Sequence, residues 1–294
     1  YIMKNIKKIL LLIILMISFS CTEDNIAIED SFLNYDIPIV SVTSDYIVGA
    51  QYSRFIRRST VPEEPTIGVY NPNVSDPAVY EEHVKQAQIA GIDFFIFQFR
   101  SANNQNQNNQ DTTFINELQA APNAGDVNFA LSYNFGNMGL NNNNRIESKG
   151  LVQRFIDDFK LMTPFFDQTN YMKVDGKNVV YLLNSHNLHS DDNAALYQQM
   201  RAELTDLGVE LYLIGMQNEW TPTLRYDFRF VNGVDAVTHA TYAAVNKNLY
   251  DRIINFHKFM DQAWLYHKET FEKYNIEYIP TISPSINLKI INRG

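Results

Sequence analysis

Cysteine is all but missing from these 294 residues, and the one copy, Cys21, lies near the amino terminus. No intrachain disulfide can form, so an exported domain made of this chain must hold together through its core alone. Basic charge is also short: 24 Lys and Arg face 33 Asp and Glu, for a net charge of -9. That balance argues against nucleic acid or anionic lipid as the main partner and leaves neutral glycans open. No glycine-rich phosphate turn follows any predicted strand, and no P-loop, HExxH motif or Ser-His-Asp order appears. Kinase, metalloprotease and esterase chemistry are disfavoured accordingly. His186 and His189 share a loop with Asp191 and Asp192, at a spacing that fits no structural zinc pattern. No metal and no cofactor are expected. Long apolar runs are lacking too, since none approaches the ~20 residues that cross a bilayer.

What is present begins with Tyr1-Ile-Met-Lys-Asn-Ile-Lys-Lys8, an apolar run from Ile9 to Ile17, and then Ser18-Phe-Ser-Cys21. A basic stretch, a short apolar stretch and a small residue before a cysteine describe a secretory signal over residues 1–21, with Met3 as the expected start. The placement of Cys21 resembles a bacterial lipoprotein lipobox, although Ser18 stands where an aliphatic residue is usual. An ordinary signal with a chance cysteine is the alternative. Lipid attachment at Cys21 implies a chain exported and anchored by acyl chains at the outer membrane or cell surface of a Gram-negative bacterium. Residues 22–40, opening on Thr22-Glu-Asp24, lack strong periodicity and are expected to be a flexible tether. Residues 41–294 are long enough for one large core.

Within that domain, apolar runs alternate with amphipathic stretches. Strands are expected at Tyr46–Tyr52, Asp93–Phe99, Asn128–Tyr133, Asn178–Leu183, Glu210–Gly215, Val234–Ala240 and Glu277–Ile282. Helices are expected at Pro77–Ala90, Thr112–Ala121, Ser148–Phe166, Asp191–Leu207 and Asn248–Tyr274. The first of these helices has Asp76 and Pro77 where an N-cap and a first-turn proline belong, an apolar stripe of Val79, Val84, Ala87 and Ala90, and Gly91 to close it. The strand Asp93–Phe99 is apolar on both faces, as in a buried parallel sheet. This alternation favours an α/β fold of the (β/α)8 TIM-barrel type, with a doubly wound open sheet as runner-up. The eighth strand is not visible before Gly294, so the domain is expected to be incomplete at its carboxyl terminus, the alternative being a complete seven-stranded or open variant. The tracts Asn103–Gln110 and Asn141–Asn144 fall in βα loops and are expected to be solvated and disordered, the alternative being that their amides contact sugar hydroxyls.

In a barrel the carboxyl ends of the strands carry the site. Those ends supply Tyr52, Gln98, Arg100, Tyr133, Asn134, Asn184, His186, Gln217, Asn218, Glu219, Trp220, His239, Tyr242 and Ser283. The set is rich in amides, hydroxyls, imidazoles and aromatic rings, which suits sugar hydroxyls and pyranose faces. Tyr52, Tyr133, His186, His239 and Tyr242 are the preferred substrate contacts, with Gln98, Arg100, Asn134, Asn218 and Glu219 beside them. Trp264, Phe259 and Phe271 are expected to be helix packing.

Several segments together resemble the glycoside hydrolase family 99/71-like group. They are Val48-Gly-Ala-Gln-Tyr-Ser53, Pro65-Thr-Ile-Gly68 with Tyr70, Asp76 through His83, Ala90-Gly-Ile-Asp93, Tyr171-Met-Lys-Val-Asp-Gly-Lys-Asn-Val-Val-Tyr181, Gly233-Val-Asp-Ala-Val-Thr238 and Tyr278-Ile-Pro-Thr-Ile-Ser-Pro284. The resemblance implies a (β/α)8 barrel and cleavage of an α-linked, α-mannan-like surface or dietary polysaccharide. It also implies a pair of glutamates spaced ExxE near the last strand, which is expected beyond Gly294. Gln217-Asn-Glu-Trp220 copies part of that motif, but Pro222 stands where the second glutamate belongs, so Glu219 is a rim residue before it is a catalyst. Arg54, Phe55 and Gln98-Phe-Arg100 replace aromatic residues of the group. Two other roles stay open: a non-catalytic glycan-binding lipoprotein on the same barrel, and an accessory to polysaccharide synthesis.

Overall fold

A computed structural model describes residues 46–52, 76–100, 105–217, 229–239 and 264–282 (the side chains of 105 and 137 excepted). The signal, tether and Cys21, with Arg54, Phe55, Asn218, Glu219, Trp220, Tyr242, Phe259 and Ser283, lie outside the described residues. None of the described helices is long and apolar enough to cross a membrane.

The strands are β1 (Gly49–Tyr52), β2 (Phe94–Phe99), β3 (Asn128–Asn134), β4 (Lys173–Val174), β5 (Lys177–Leu183), β6 (Leu211–Gln217), β7 (Ala236–His239) and β8 (Glu277–Ile279). Hydrogen bonding runs β1-β2-β3-β5-β6-β7-β8, every pair parallel, with β4 antiparallel on β5. Neighbours in the parallel sheet are therefore successive parallel strands of the chain. A doubly wound sheet reverses its order at a switch point, and this sheet does not, so the architecture is the singly wound one of a TIM barrel. An eighth parallel strand is not among the described residues.

Five helices and a sixth helical stretch cover the outer face: α1 (Pro77–Ala90), α2 (Gln105–Gln119), α3 (Val152–Lys160), α4 (Thr163–Phe166), α5 (Asn193–Thr205) and residues 264–272. The caps of α1 are as expected. Asp76 Oδ1 accepts from the Ala78 N–H at 2.9 Å, and Gly91 closes the helix at φ +68°. Its buried stripe is Tyr80, Val84 and Ala87, while Ala90 is exposed. Two expectations need correction, and one further element comes with them. Gln105–Gln110 is not loop but the opening of α2, with Asn108 and Asp111 buried. Arg100 at the end of β2 holds Asp111 through Nε and Nη2 at 2.8–3.1 Å, and that clamp overrides the weak helix propensity of the amides. The helix expected over Ser148–Phe166 is broken at Leu161 and Met162, because Pro164 must sit in a first turn and so starts α4. The run Lys173–Lys177 is a tight hairpin: Asp175 and Gly176, both at positive φ, form the two-residue turn between β4 and β5.

The core lies between the sheet and the helices. Phe95, Phe97, Phe99, Phe129, Leu131, Tyr133, Val180, Leu182 and Leu213 alternate along the strands and meet Tyr80, Ile115, Phe155, Phe159, Tyr197 and Leu204 from the helices. A second, smaller cluster of Phe94, Ile96, Ala130, Val179, Tyr212, Ile214 and Ala236 is built from the intervening positions and fills the barrel interior. At its foot, a Cβ on Gly49 would lie 2.3 Å from the Phe94 ring, so only glycine leaves room for that ring. Tyr171 joins β3 to β5 where their direct pairing stops: its hydroxyl accepts from Leu131 N–H at 3.1 Å and donates to Val179 C=O at 2.8 Å.

Candidate functional site

The period of two that separates these clusters also sorts the residues at the carboxyl ends of the strands. Counting up from the interior residues Ile96, Ala130, Val179, Ile214 and Ala236, the inward positions are Gln98, Ser132, Asn134, Tyr181, Leu183, Met216 and Thr238, with Gln51 and Ile279 in register beside them. The mouth is thus lined by amides, hydroxyls and a few apolar side chains. None of the described inward residues in its upper half is a carboxylate. Glu277 faces inward at the foot, where Tyr212 Oη donates to its Oε2 at 2.7 Å.

Three of the preferred contacts fall on the other face. Tyr133 is 0% exposed, packs among Phe135, Phe155 and Phe159, and donates its hydroxyl to Asp158 Oδ2 at 2.9 Å. It is part of the core beneath α3 and does not reach the mouth. Tyr52 rests against Tyr80, Phe95 and Phe97, with its hydroxyl 3.0 Å from His83 Nδ1 on α1. His239 lies between β7, β8 and residues 264–272: its Nδ1 is 2.9 Å from Tyr278 Oη and its ring is 4.3 Å from that of His267. Burial lowers the pKa of His239 to about 3, with the neighbouring His267 adding to the effect, and burial alone lowers that of His267 to about 4. Both imidazoles are neutral near pH 7. Gln217, paired with His239 in register, is 0% exposed on this same outer side.

Arg100 is likewise engaged, since its guanidinium is committed to Asp111, the Gln107 carbonyl and Gln110 Oε1. His186 sits half-buried in the one-turn helix Ser185–Asn187 after β5. Burial lowers its pKa, a hydrogen bond to the Met216 backbone opposes that, and the Arg229 charge lowers it further. In the same loop Asp191 pairs with Arg145 at 2.7 Å and Asp192 caps α5. No group of three or more potential metal ligands comes together among the described residues.

Gln98 and Asn134 do face the mouth. Asn134 ends β3 and its Oδ1 accepts twice, from Gly136 N–H at 2.8 Å and from Asn184 Nδ2 at 3.0 Å. Asn184 follows β5 in the left-handed region at φ +54°. One layer deeper is a hydroxyl chain that the strand ends alone do not announce. Thr281 donates to the His239 carbonyl at 2.8 Å and is 2.6 Å from Thr238 Oγ1, and Tyr181 bonds to Thr238 in turn. Burial raises the Tyr181 pKa to about 12, opposed by that bond to Thr238, so it stays a neutral hydroxyl. The signal for Ser132, Tyr181 and Thr238 was the alternation itself, followed from the apolar interior upward.

The solved structures that resemble this fold include two of note. A glycoside hydrolase-like protein is 40% identical, the match covering 90% of this chain and 78% of that one, with a TM-score of 0.78. The GH99 endo-alpha-mannosidase from Bacteroides thetaiotaomicron, in complex with BIS-TRIS-propane, is 13% identical over 85% of this chain and 73% of its own, with a TM-score of 0.54. At that identity the second likeness is one of fold, and the fold is a TIM barrel. No protein-family model and no curated protein sequence matches the chain.

Proposed function

This chain belongs to the glycoside hydrolase-like family of its 40%-identical relative, and from that premise we propose that its barrel takes a neutral, α-linked polysaccharide of the α-mannan kind at the mouth. One observation carries the proposal: the inward positions at the carboxyl ends of the strands, from Gln98 through Asn134 and Tyr181 to Thr238, offer amides and hydroxyls without a carboxylate among the described residues. Such a lining favours an uncharged, hydroxyl-rich ligand over an anionic or cationic one. The barrel mouth is also where ligands of this architecture bind. Export and lipid attachment through Cys21 belong to the same proposal, because a polysaccharide too large to enter a cell is met at its surface.

Hydrolysis of a glycosidic bond needs two carboxyl groups in separate roles. Glu219, the one glutamate in the Gln217–Trp220 run, lies outside the described residues, and the pair is proposed to come from parts of the protein other than those described. The test uses the full chain with α-mannan and α-1,3-glucan, following binding by affinity electrophoresis and cleavage by new reducing ends. Retarded migration in α-mannan with release of reducing ends is the result expected of a hydrolase. Binding without release makes the chain a non-catalytic glycan-binding protein, and neither binding nor release overturns the carbohydrate assignment.

A further inference from the structure

We infer that Asn134 and Asn184 form a subsite that grips two neighbouring hydroxyls of one sugar ring, one through a donated and one through an accepted hydrogen bond. The inference rests on the glycan assignment above and adds to it the residues that select the ring.

The orientation of both amides follows from chemistry. Gly136 N–H can only donate, so the Asn134 atom it meets at 2.8 Å must be the oxygen. That oxygen also meets Asn184 at 3.0 Å, so the Asn184 atom there must be the nitrogen. What remains is an Asn134 Nδ2 with donors to spare and an Asn184 Oδ1 free to accept. Among the described residues neither atom has a hydrogen-bond partner, and both side chains are half-buried at the mouth. A sugar hydroxyl donates and accepts at once, so two on adjacent carbons satisfy both atoms together.

The pair is held rather than merely present. A Cβ on Gly136 would stand 3.0 Å from Asn134 Oδ1 and 3.1 Å from Asn184 Nδ2, so the glycine lets the backbone close over the amide contact. Asn184 keeps a left-handed backbone that glycine would adopt without strain. The cap on Gly136 is made by Asn134 alone. What asparagine adds at position 184 over glycine is therefore its amide. Several other polar groups in the mouth are already engaged: Arg100 with Asp111, Ser132 Oγ with the Phe97 carbonyl at 3.2 Å, and the Tyr181–Thr238–Thr281 chain with itself and the His239 carbonyl. Gln98 on β2 is the further half-buried amide, and it makes no hydrogen bond among the described residues.

The experiment titrates the full chain with α-linked mannotetraose by calorimetry, unmutated and as Asn184→Gly and Asn134→Ser. Glycine keeps the left-handed turn, and serine keeps a cap acceptor for Gly136. Each variant is expected to melt within a few degrees of the unmutated protein and to lose about tenfold or more in affinity, or about 1.4 kcal/mol. Mono-deoxy analogues add a readout that a structural role does not move. Removing a gripped hydroxyl should weaken binding to the unmutated chain and cost little further in Asn184→Gly. Undiminished affinity in both folded variants, or equal deoxy penalties with and without the Asn184 amide, overturns the subsite alone. No binding by the unmutated chain overturns the glycan assignment and the subsite with it.

Discussion

On β2, Phe95, Phe97 and Phe99 point at the helices, whereas Phe94, Ile96 and Gln98 point into the barrel, and the two sets are used differently from their first residue to their last. The outer set belongs to a continuous aromatic layer in which ring follows ring, Phe97 lying 5.5 Å from Phe129 and Phe129 5.1 Å from Tyr171. The inner face is mostly apolar toward its foot and gains amides and hydroxyls toward the mouth. Burial of large rings supplies stability at roughly 1.5–3 kcal/mol each, so the outer face carries the fold. The inner face, relieved of that duty near its top, is free to carry ligand contacts. A residue's place in the alternation, more than its chemical type, decides which of these it serves.

The strongest test of this division is on adjacent residues. Phe97→Ala, at 1% exposure, should cost about 3–5 kcal/mol and lower the melting temperature by roughly 10 °C in a thermal scan. If Phe97→Ala melts with the unmutated protein, the outer layer is not what holds the barrel. Arg100→Ala comes next, because it strands the buried Asp111 carboxylate at the rim where the faces meet. A loss of about 3 kcal/mol in denaturant unfolding is expected, with Asp111→Asn losing less. Tyr171→Phe removes two buried backbone partners at once and should cost about 2 kcal/mol.

Acid sharpens the comparison further, since His239 and His267 are polar intruders in the outer layer. Their folded pKa values of about 3 and about 4 lie below the ordinary histidine value. The unfolded chain therefore binds more protons as the pH falls through about 6.5, and stability should be full above that pH. Between about pH 6.5 and 4 it should decline steadily on account of this pair, and His267→Phe should flatten that slope in urea titrations at each pH. Smallest in stability is Gln98→Ala, expected to change unfolding by less than about 0.5 kcal/mol while weakening glycan binding. Should it unfold the protein instead, the inner rim is structural and the division fails at its most exposed point.

The sequence displayed the succession of strands and helices plainly, because buried parallel strands such as Phe94–Phe99 are apolar on both faces and α1 carries its own caps. The start of α2 was hidden, since nothing local in Gln105–Gln110 shows that Arg100 will clamp Asp111 above it. The site was legible in kind and misassigned in part. Taking the last aromatic or imidazole of each strand selected Tyr52, Tyr133 and His239, all outward, while the inward neighbours Ser132, Tyr181 and Thr238 are chemically plainer. The left-handed turn at Asn184 had only its residue type as a cue, as asparagine tolerates positive φ better than most.

The unbroken agreement between chain order and sheet order has a kinetic side. Among the described strands each parallel ladder joins a strand to the parallel strand before it, so none of these pairings has to wait for a distant part of the chain. A strand leaving the ribosome finds its partner already made, and the sheet can lengthen one βα unit at a time in the direction of synthesis. The edge that awaits the next strand is then the growing end of the structure, and its brief exposure at every step is the natural point for misassembly or rescue.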